Sequence, residues 1–177
     1  MTGVSEPALD PETRLHSDHP EALRLWLRIF TCARTVERSV DQLLKREFGS
    51  SLARFDVLAQ LERAPEGLRM GELSERTLST NGNATWLVAA LGREGLVRRR
   101  AAPEDGRAVL VRLTAAGRRH FATMAKRHEA HIVSCFAGLS AGERRTVHSL
   151  LGTVKDHLTA RRKQPPNDHA RDDRTTA

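Results

Sequence analysis

Residues 78–117 read LSTNGNATWLVAALGREGLVRRRAAPEDGRAVLVRLTAAG, and their patterning decides the fold. Within residues 80–91 the apolar Ala84, Leu87, Val88 and Leu91 recur at helical spacing, a stripe shaped to face a core. The opposite face of that helix carries Asn81, Asn83 and Thr85, short polar side chains. Gly95 supplies the stop, because glycine takes the positive φ of a helix end without steric cost. Leu96 and Val97 then open a strand that continues through Arg98, Arg99 and Arg100. Pro103-Glu104-Asp105-Gly106 is turn chemistry. Residues 108–113 form a second strand, and Thr114 is placed to cap the helix that follows.

The composition suits a protein that meets a polyanion. The 177 residues fit one domain, or one domain with a helical extension. An apolar share of 39% with five phenylalanines and no tyrosine predicts a mainly aliphatic core. Lys and Arg number 29 against 22 acidic residues, a net charge of +7, which favours nucleic acid as a partner. The excess is local: between positions 91 and 120, eight arginines stand against Glu94, Glu104 and Asp105, a net +5. Cys32 and Cys135 lie far apart in no disulfide or CxxC spacing, which reads as an intracellular chain. Neither a signal peptide nor a membrane-spanning apolar run is visible, so a cytoplasmic protein with no membrane partner is expected. No phosphate-cradling glycine loop, paired-carboxylate cleft or nucleophile motif is present, so neither an enzyme nor a cofactor is expected.

In chain order, residues 1–18 read as a flexible leader with little periodicity. Residues 19–50 hold a long helix opening at Pro20 and running over 21–46, with an apolar stripe of Leu23, Trp26, Ile29, Phe30, Ala33, Val36, Val40, Leu43 and Leu44. So long a helix beside a small domain needs a partner surface, and a second subunit is the natural supplier. Residues 51–114 give a helix (51–64, closed by Pro65 and Gly67), a short helix (70–77), the polar-faced helix and the basic hairpin. Residues 115–160 complete a pair of further helices. The first carries Phe121, Met124, His128, Ile132, Cys135 and Phe136 on one side. The second starts at a Ser140–Glu143 capping box and carries Val147, Leu150, Leu151, Val154 and Leu158. Residues 161–177 read as a disordered basic tail. The fold class is therefore mainly α with a small β-hairpin wing: a winged helix-turn-helix plus a helical dimerisation region.

In such a module the polar-faced helix enters the major groove, where asparagine can pair with adenine and threonine can touch a thymine methyl or a phosphate. Asn81, Asn83 and Thr85 are thus read as base contacts in preference to a solvated face. Thr80, at the helix entrance, suits a phosphate. Arg107 at the hairpin tip suits the minor groove, with Asp105 orienting its guanidinium. Strand side chains alternate, so Arg98, Arg99 and Arg100 cannot all face DNA; Arg98 and Arg100 are assigned the phosphate contacts.

RFDVLAQL, MGELSERTLSTNGNATWLVAALGREGLVRR and above all PEDGRAVLVRLTAAG resemble the MarR (multiple antibiotic resistance regulator) transcription factors over roughly residues 20–158. The last segment is similar to the family's wing, an Asp-X-Arg tip followed by a strand and Leu-Thr-X-X-Gly. The resemblance implies a homodimer interlocked through its first and last two helices, placing two winged modules on pseudo-palindromic double-stranded DNA, most often as a repressor. Gly106 stands where the family often carries a second arginine, which implies a more weakly binding wing, and Trp86 where it usually has a small or basic residue, which implies altered packing beside the DNA. LRLWLRIFTCARTVE, FGSSLARFDVLAQLERAPEGLRMGELS and STNGNAT further resemble the branch that senses aromatic acids or their CoA thioesters. That resemblance implies an effector site, for which Trp26, Arg28, Phe30, Arg34, Arg54 and Phe55 are the candidates, Arg24 and Arg38 adding to the basic surface.

For Trp26 and Phe30 a place in the dimer core is favoured over the wall of an effector pocket, although both can hold, and Arg54 and Phe55 face the same choice. Cys32 raises a redox-responsive alternative, but the chain lacks the tyrosines that activate such thiols in relatives, and a buried small apolar role is favoured. His128 and His131 with Glu129 supply too few ligands on one face for a metal site. A nonspecific architectural DNA-binding protein is the remaining alternative.

Overall fold

The computed structural model describes residues 20–77, 81–102 and 105–163, with side chains at 81–83, 102, 105–108 and 162–163 outside that description. The chain divides into two compact units, residues 1–134 and 135–177. The expected leader, Thr80, and positions 164–177 of the expected tail lie outside the described residues.

Helix α1 spans Glu21–Phe48, two residues further than the periodicity predicts. Pro20 is its N-cap rather than its first helical residue, and the Pro20 carbonyl accepts the Leu23 and Arg24 amides. Gly49 ends the helix at φ 57°, and the Ser50 amide closes back onto the Leu44 carbonyl, the left-handed stop that glycine permits. Asp41 then links α1 to the next helix by accepting the Leu52 amide at 3.0 Å while pairing with Lys45 at 2.6 Å. Those two contacts, Lys45 foremost, hold its carboxyl below the usual range.

Helix α2 (Leu52–Glu62) is capped by the Ser51 hydroxyl, which accepts the Arg54 amide. A two-residue strand β1 (Leu68–Arg69), α3 (Met70–Arg76) and α4 (Asn81–Arg93) follow. Strands β2 (Val97–Ala102) and β3 (Asp105–Leu113) lead into α5 (Ala115–Cys135), and α6 spans Ala141–Lys163. The fold is mostly helical with one small antiparallel sheet, as the sequence predicts.

Three details differ from expectation. The sheet has three strands in the order β1-β3-β2, because Leu68 and Arg69 pair with Val111 and Leu110. Two residues are too few to show an alternating pattern. Strand β3 begins at Asp105, three residues before the expected start at Ala108, and Asp105 pairs with Ala102 across a register irregularity at Ala101/Ala102. Helix α6 runs to Lys163, into the expected tail. Arg161, Arg162 and Lys163 are good helix formers that suit a C-terminus, and the first breaker is Pro165.

Within residues 1–134 the core is aliphatic, as expected. Leu44, Leu58, Leu61, Leu73, Val88, Leu91, Val111 and Met124 are fully buried, joined by Phe55, Val97 and Leu113. Only the C-terminal part of α1, through Val40, Leu43 and Leu44, enters it. Leu23, Trp26 and Phe30 from the same stripe are exposed.

Candidate nucleic-acid interface

Helix α4 is fixed by the stripe read from its sequence: Ala84, Leu87, Val88 and Leu91 are all buried, with Ala90 beside them. Thr85 and Trp86 consequently face outward, both exposed. Asn81 and Asn83 lie in the first turn of α4, and their side chains lie outside the described atoms.

The sheet carries the positive charge. Arg98 pairs across from Arg112, Arg99 from Val111 and Arg100 from Leu110. Alternation puts Arg98 and Arg100 on the face opposite Val97 and Val111, which are buried. Arg99 belongs to the other face, yet all three are exposed. Strand β1 adds a group that sequence reasoning missed: Arg69 pairs with Leu110, the residue that also pairs with Arg100, so it shares the face of Arg98 and Arg100 and is exposed. Asp105 and Arg107 lie on β3 with their side chains outside the described atoms.

Three contacts brace this surface. The Thr114 hydroxyl donates to the Gly95 carbonyl at 2.7 Å and accepts the Gly117 amide at 2.9 Å, so one side chain joins the stop after α4 to the start of α5. This gives Leu-Thr-X-X-Gly its physical reason. A Cβ at Gly117 would overlap the backbone carbonyl of Leu96, leaving room only for glycine. Arg112 pairs with Glu66 at 3.2 Å across the root of the wing, packed so closely on Gly67 (φ 96°) that a Cβ there would stand 2.6 Å from Arg112 Cγ. Arg54 pairs with Glu94, just beyond the end of α4.

The Arg54 side chain is largely covered and paired with Glu94. Phe55 is buried in the core, 5.4 Å from the Phe121 ring and stacked at 4.6 Å on His128. Burial in that stack lowers the His128 pKa, with the charge of His131 adding to the effect. His131 Nε2 in turn meets Ser39 Oγ at 3.0 Å.

The remaining effector candidates stay on the surface. Trp26 and Phe30 form an exposed ring pair 5.7 Å apart, and Arg28 is exposed on the same helix. Arg34, which pairs with Glu37 at 3.3 Å, lines a cleft of about 290 Å³ with Glu37, Arg38, Asp41 and Leu52. Cys32 also departs from expectation. It is exposed, because the part of α1 that carries it lies outside the core of its own chain.

Two helices flanking residues 77–80, followed by a three-stranded sheet with a basic face, define a winged helix-turn-helix protein. A sequence model of the MarR family matches residues 48–108. The chain is 31% identical over 110 residues to the HTH-type transcriptional regulator YdgJ of Bacillus subtilis (strain 168), covering 62% of this chain and 66% of that one. With YkoM of the same organism, also an HTH-type transcriptional regulator, identity is 32% over 120 residues, 66% of this chain and 77% of that one. Among solved structures, a MarR family transcriptional regulator from Silicibacter pomeroyi superposes with a TM-score of 0.67 at 31% identity, covering 77% of this chain and 94% of the other. Sco3205 of Streptomyces coelicolor, a MarR family regulator solved in complex with DNA, gives 0.69 at 25% identity, covering 84% and 94%. The chain belongs to the MarR family of DNA-binding transcriptional regulators. Its relatives are regulators, not enzymes. No helix among the described residues is long and apolar enough to cross a membrane.

Proposed function

We propose that this protein is a homodimeric, ligand-responsive repressor of a pseudo-palindromic operator. The observation that carries the DNA-binding half is the pairing of exposed Thr85 and Trp86 on α4 with exposed Arg69, Arg98 and Arg100 on one side of the wing. Residues 80–91 read the major groove, with Thr80, Asn81, Asn83, Thr85 and Trp86 as contacts. Arg98 and Arg100 neutralise phosphates, and Arg107, steadied by Asp105, enters the minor groove. A relative solved in complex with DNA supports DNA as the partner.

The homodimer is supported by apolar groups that the single chain leaves uncovered. Leu25 and Trp26 on α1 and Val147, Leu150, Leu151, Val154 and Leu158 on α6 are all exposed. The α6 residues recur at helical spacing, one stripe that needs a partner surface. A second copy brings two recognition helices to half-sites about 34–36 Å apart.

The effector proposed is an aromatic carboxylate or its CoA thioester, met by Arg34 and Arg38 in the α1–α2 cleft with Arg28, Trp26 and Phe30 further along the helix. Its binding would change the separation of the recognition helices, and a coupling of ~1–3 kcal/mol lowers operator affinity roughly 5- to 150-fold. Fluorescence anisotropy on the duplex upstream of its own gene, at about 0.15 M salt, tests all of this. Aromatic acids and their CoA thioesters are titrated into the complex. Release by one of them supports the whole reading. Specific binding that none of them releases removes the effector class, and binding no tighter than to random DNA removes the regulator.

A further inference from the structure

Trp86 is exposed to 61%, the one exposed large hydrophobic side chain among the described residues of α2, α3 and α4. Helical position explains why it stands proud. With 3.6 residues per turn, Gly82, Trp86, Ala89 and Arg93 fall along the line opposite the buried Ala84–Leu87–Val88–Leu91 stripe. Gly82 and Ala89, a turn to either side, have no bulk to cover the indole. Thr85 beside it is exposed, and the strip ends in exposed Arg93, with Arg98 and Arg100 following on β2. An uncovered indole on an exposed helix face that ends in Arg93 is a binding group.

We propose that Trp86 is a specificity-determining residue that reads the C5-methyl of a thymine in the major groove. This rests on the assignment of α4 as the recognition helix. The base edges there present donors and acceptors, and the thymine methyl is the one apolar feature among them. An indole offers an apolar plane and a single N–H donor, so it can cover a methyl but cannot make the bidentate pairs by which asparagine or arginine reads a base. Side chains that wedge between base steps act from the minor groove, whereas this one projects from the helix assigned to the major groove.

The test begins with selection from a random duplex library at about 0.15 M salt, using the full-length wild type, Trp86→Ala and Trp86→Phe. Each thymine of the wild-type-selected duplex is then replaced singly by deoxyuridine, which removes only the methyl. Wild type should weaken about fourfold at one thymine per half-site, the worth of one buried methyl-sized group. Trp86→Ala should bind that duplex more weakly, be indifferent to the same replacement and lose that thymine from its own selected sequence, while Trp86→Phe retains the sensitivity. Its exposure predicts an unchanged melting temperature for the alanine variant, which circular dichroism checks. Wild type insensitive to every replacement, or an alanine variant as sensitive as wild type, overturns the assignment to Trp86 and leaves α4 as the reading helix. Failure of wild type to select any sequence overturns both.

Discussion

Arg127 and Glu47 form a two-pronged ion pair, Nε to Oε2 at 2.7 Å and Nη2 to Oε1 at 2.8 Å, that ties the middle of α5 to the last turn of α1. The Arg127 guanidinium, with Arg46 adding, holds the Glu47 carboxyl down from 4.5 to about 2. A carboxylate lowered by folding contributes stability that is present above its unfolded pKa and lost as pH falls through its folded one. The melting temperature of wild type should therefore fall between pH 4.5 and about 2 more steeply than that of Glu47→Gln. Parallel acid limbs for the two proteins would show that the pair contributes nothing.

Gly117→Ala should destabilise the fold by ~1–3 kcal/mol, the usual cost of overpacking, because its Cβ meets the Leu96 carbonyl, a backbone atom that cannot swing aside. Thr114→Ala removes the cap that the Gly117 amide uses and should cost about 1 kcal/mol. Thermal melts measure both. A Gly117→Ala protein that melts with wild type means that this joint yields without cost.

Arg98→Ala and Arg100→Ala should weaken binding to all duplexes alike, and each should reduce the slope of log affinity against log salt by about two, one phosphate contact per subunit. Arg107→Ala should instead lose most of the preference for operator over random DNA, with the dimer intact. Unchanged affinity of Arg107→Ala for a mapped operator would reject the assignment of the hairpin tip to the minor groove.

Leu150→Glu and Leu158→Glu each place a charge on the uncovered stripe of α6, where the native side chains are exposed to 62% and 60%. Both variants should run as monomers in size-exclusion chromatography with light scattering and lose operator affinity, while residues 1–134 stay folded. A dimer that survives both changes puts the subunit contact on another surface.

Much of the fold was legible because its signals are periodic. The α4 stripe, the long runs of α1 and α6, the glycine stop at Gly95 and the Ser140–Glu143 capping box with Glu143 Oε2 on the Ser140 amide at 2.8 Å all follow from spacing within one segment. Strand β1 was not legible. Its two residues acquire meaning only when β3, some forty positions later, lies beside them, and Arg69 enters the basic face by the same pairing.

The class of the protein is written in the linear order of residues: helix, basic hairpin and Leu-Thr-X-X-Gly in fixed order, with the charge excess on the hairpin and its flanks. The surroundings of the candidate side chains come from packing between distant segments. Arg54 looked like an anion ligand and is held by Glu94; Phe55 looked like a pocket wall and is stacked on His128. Cys32 looked like a small core residue and is exposed. The physical reason is the range of the forces. Helix and turn preferences act over a few residues and are written locally. Burial and ion pairing depend on which distant segment arrives, and no spacing within α1 or α2 records that.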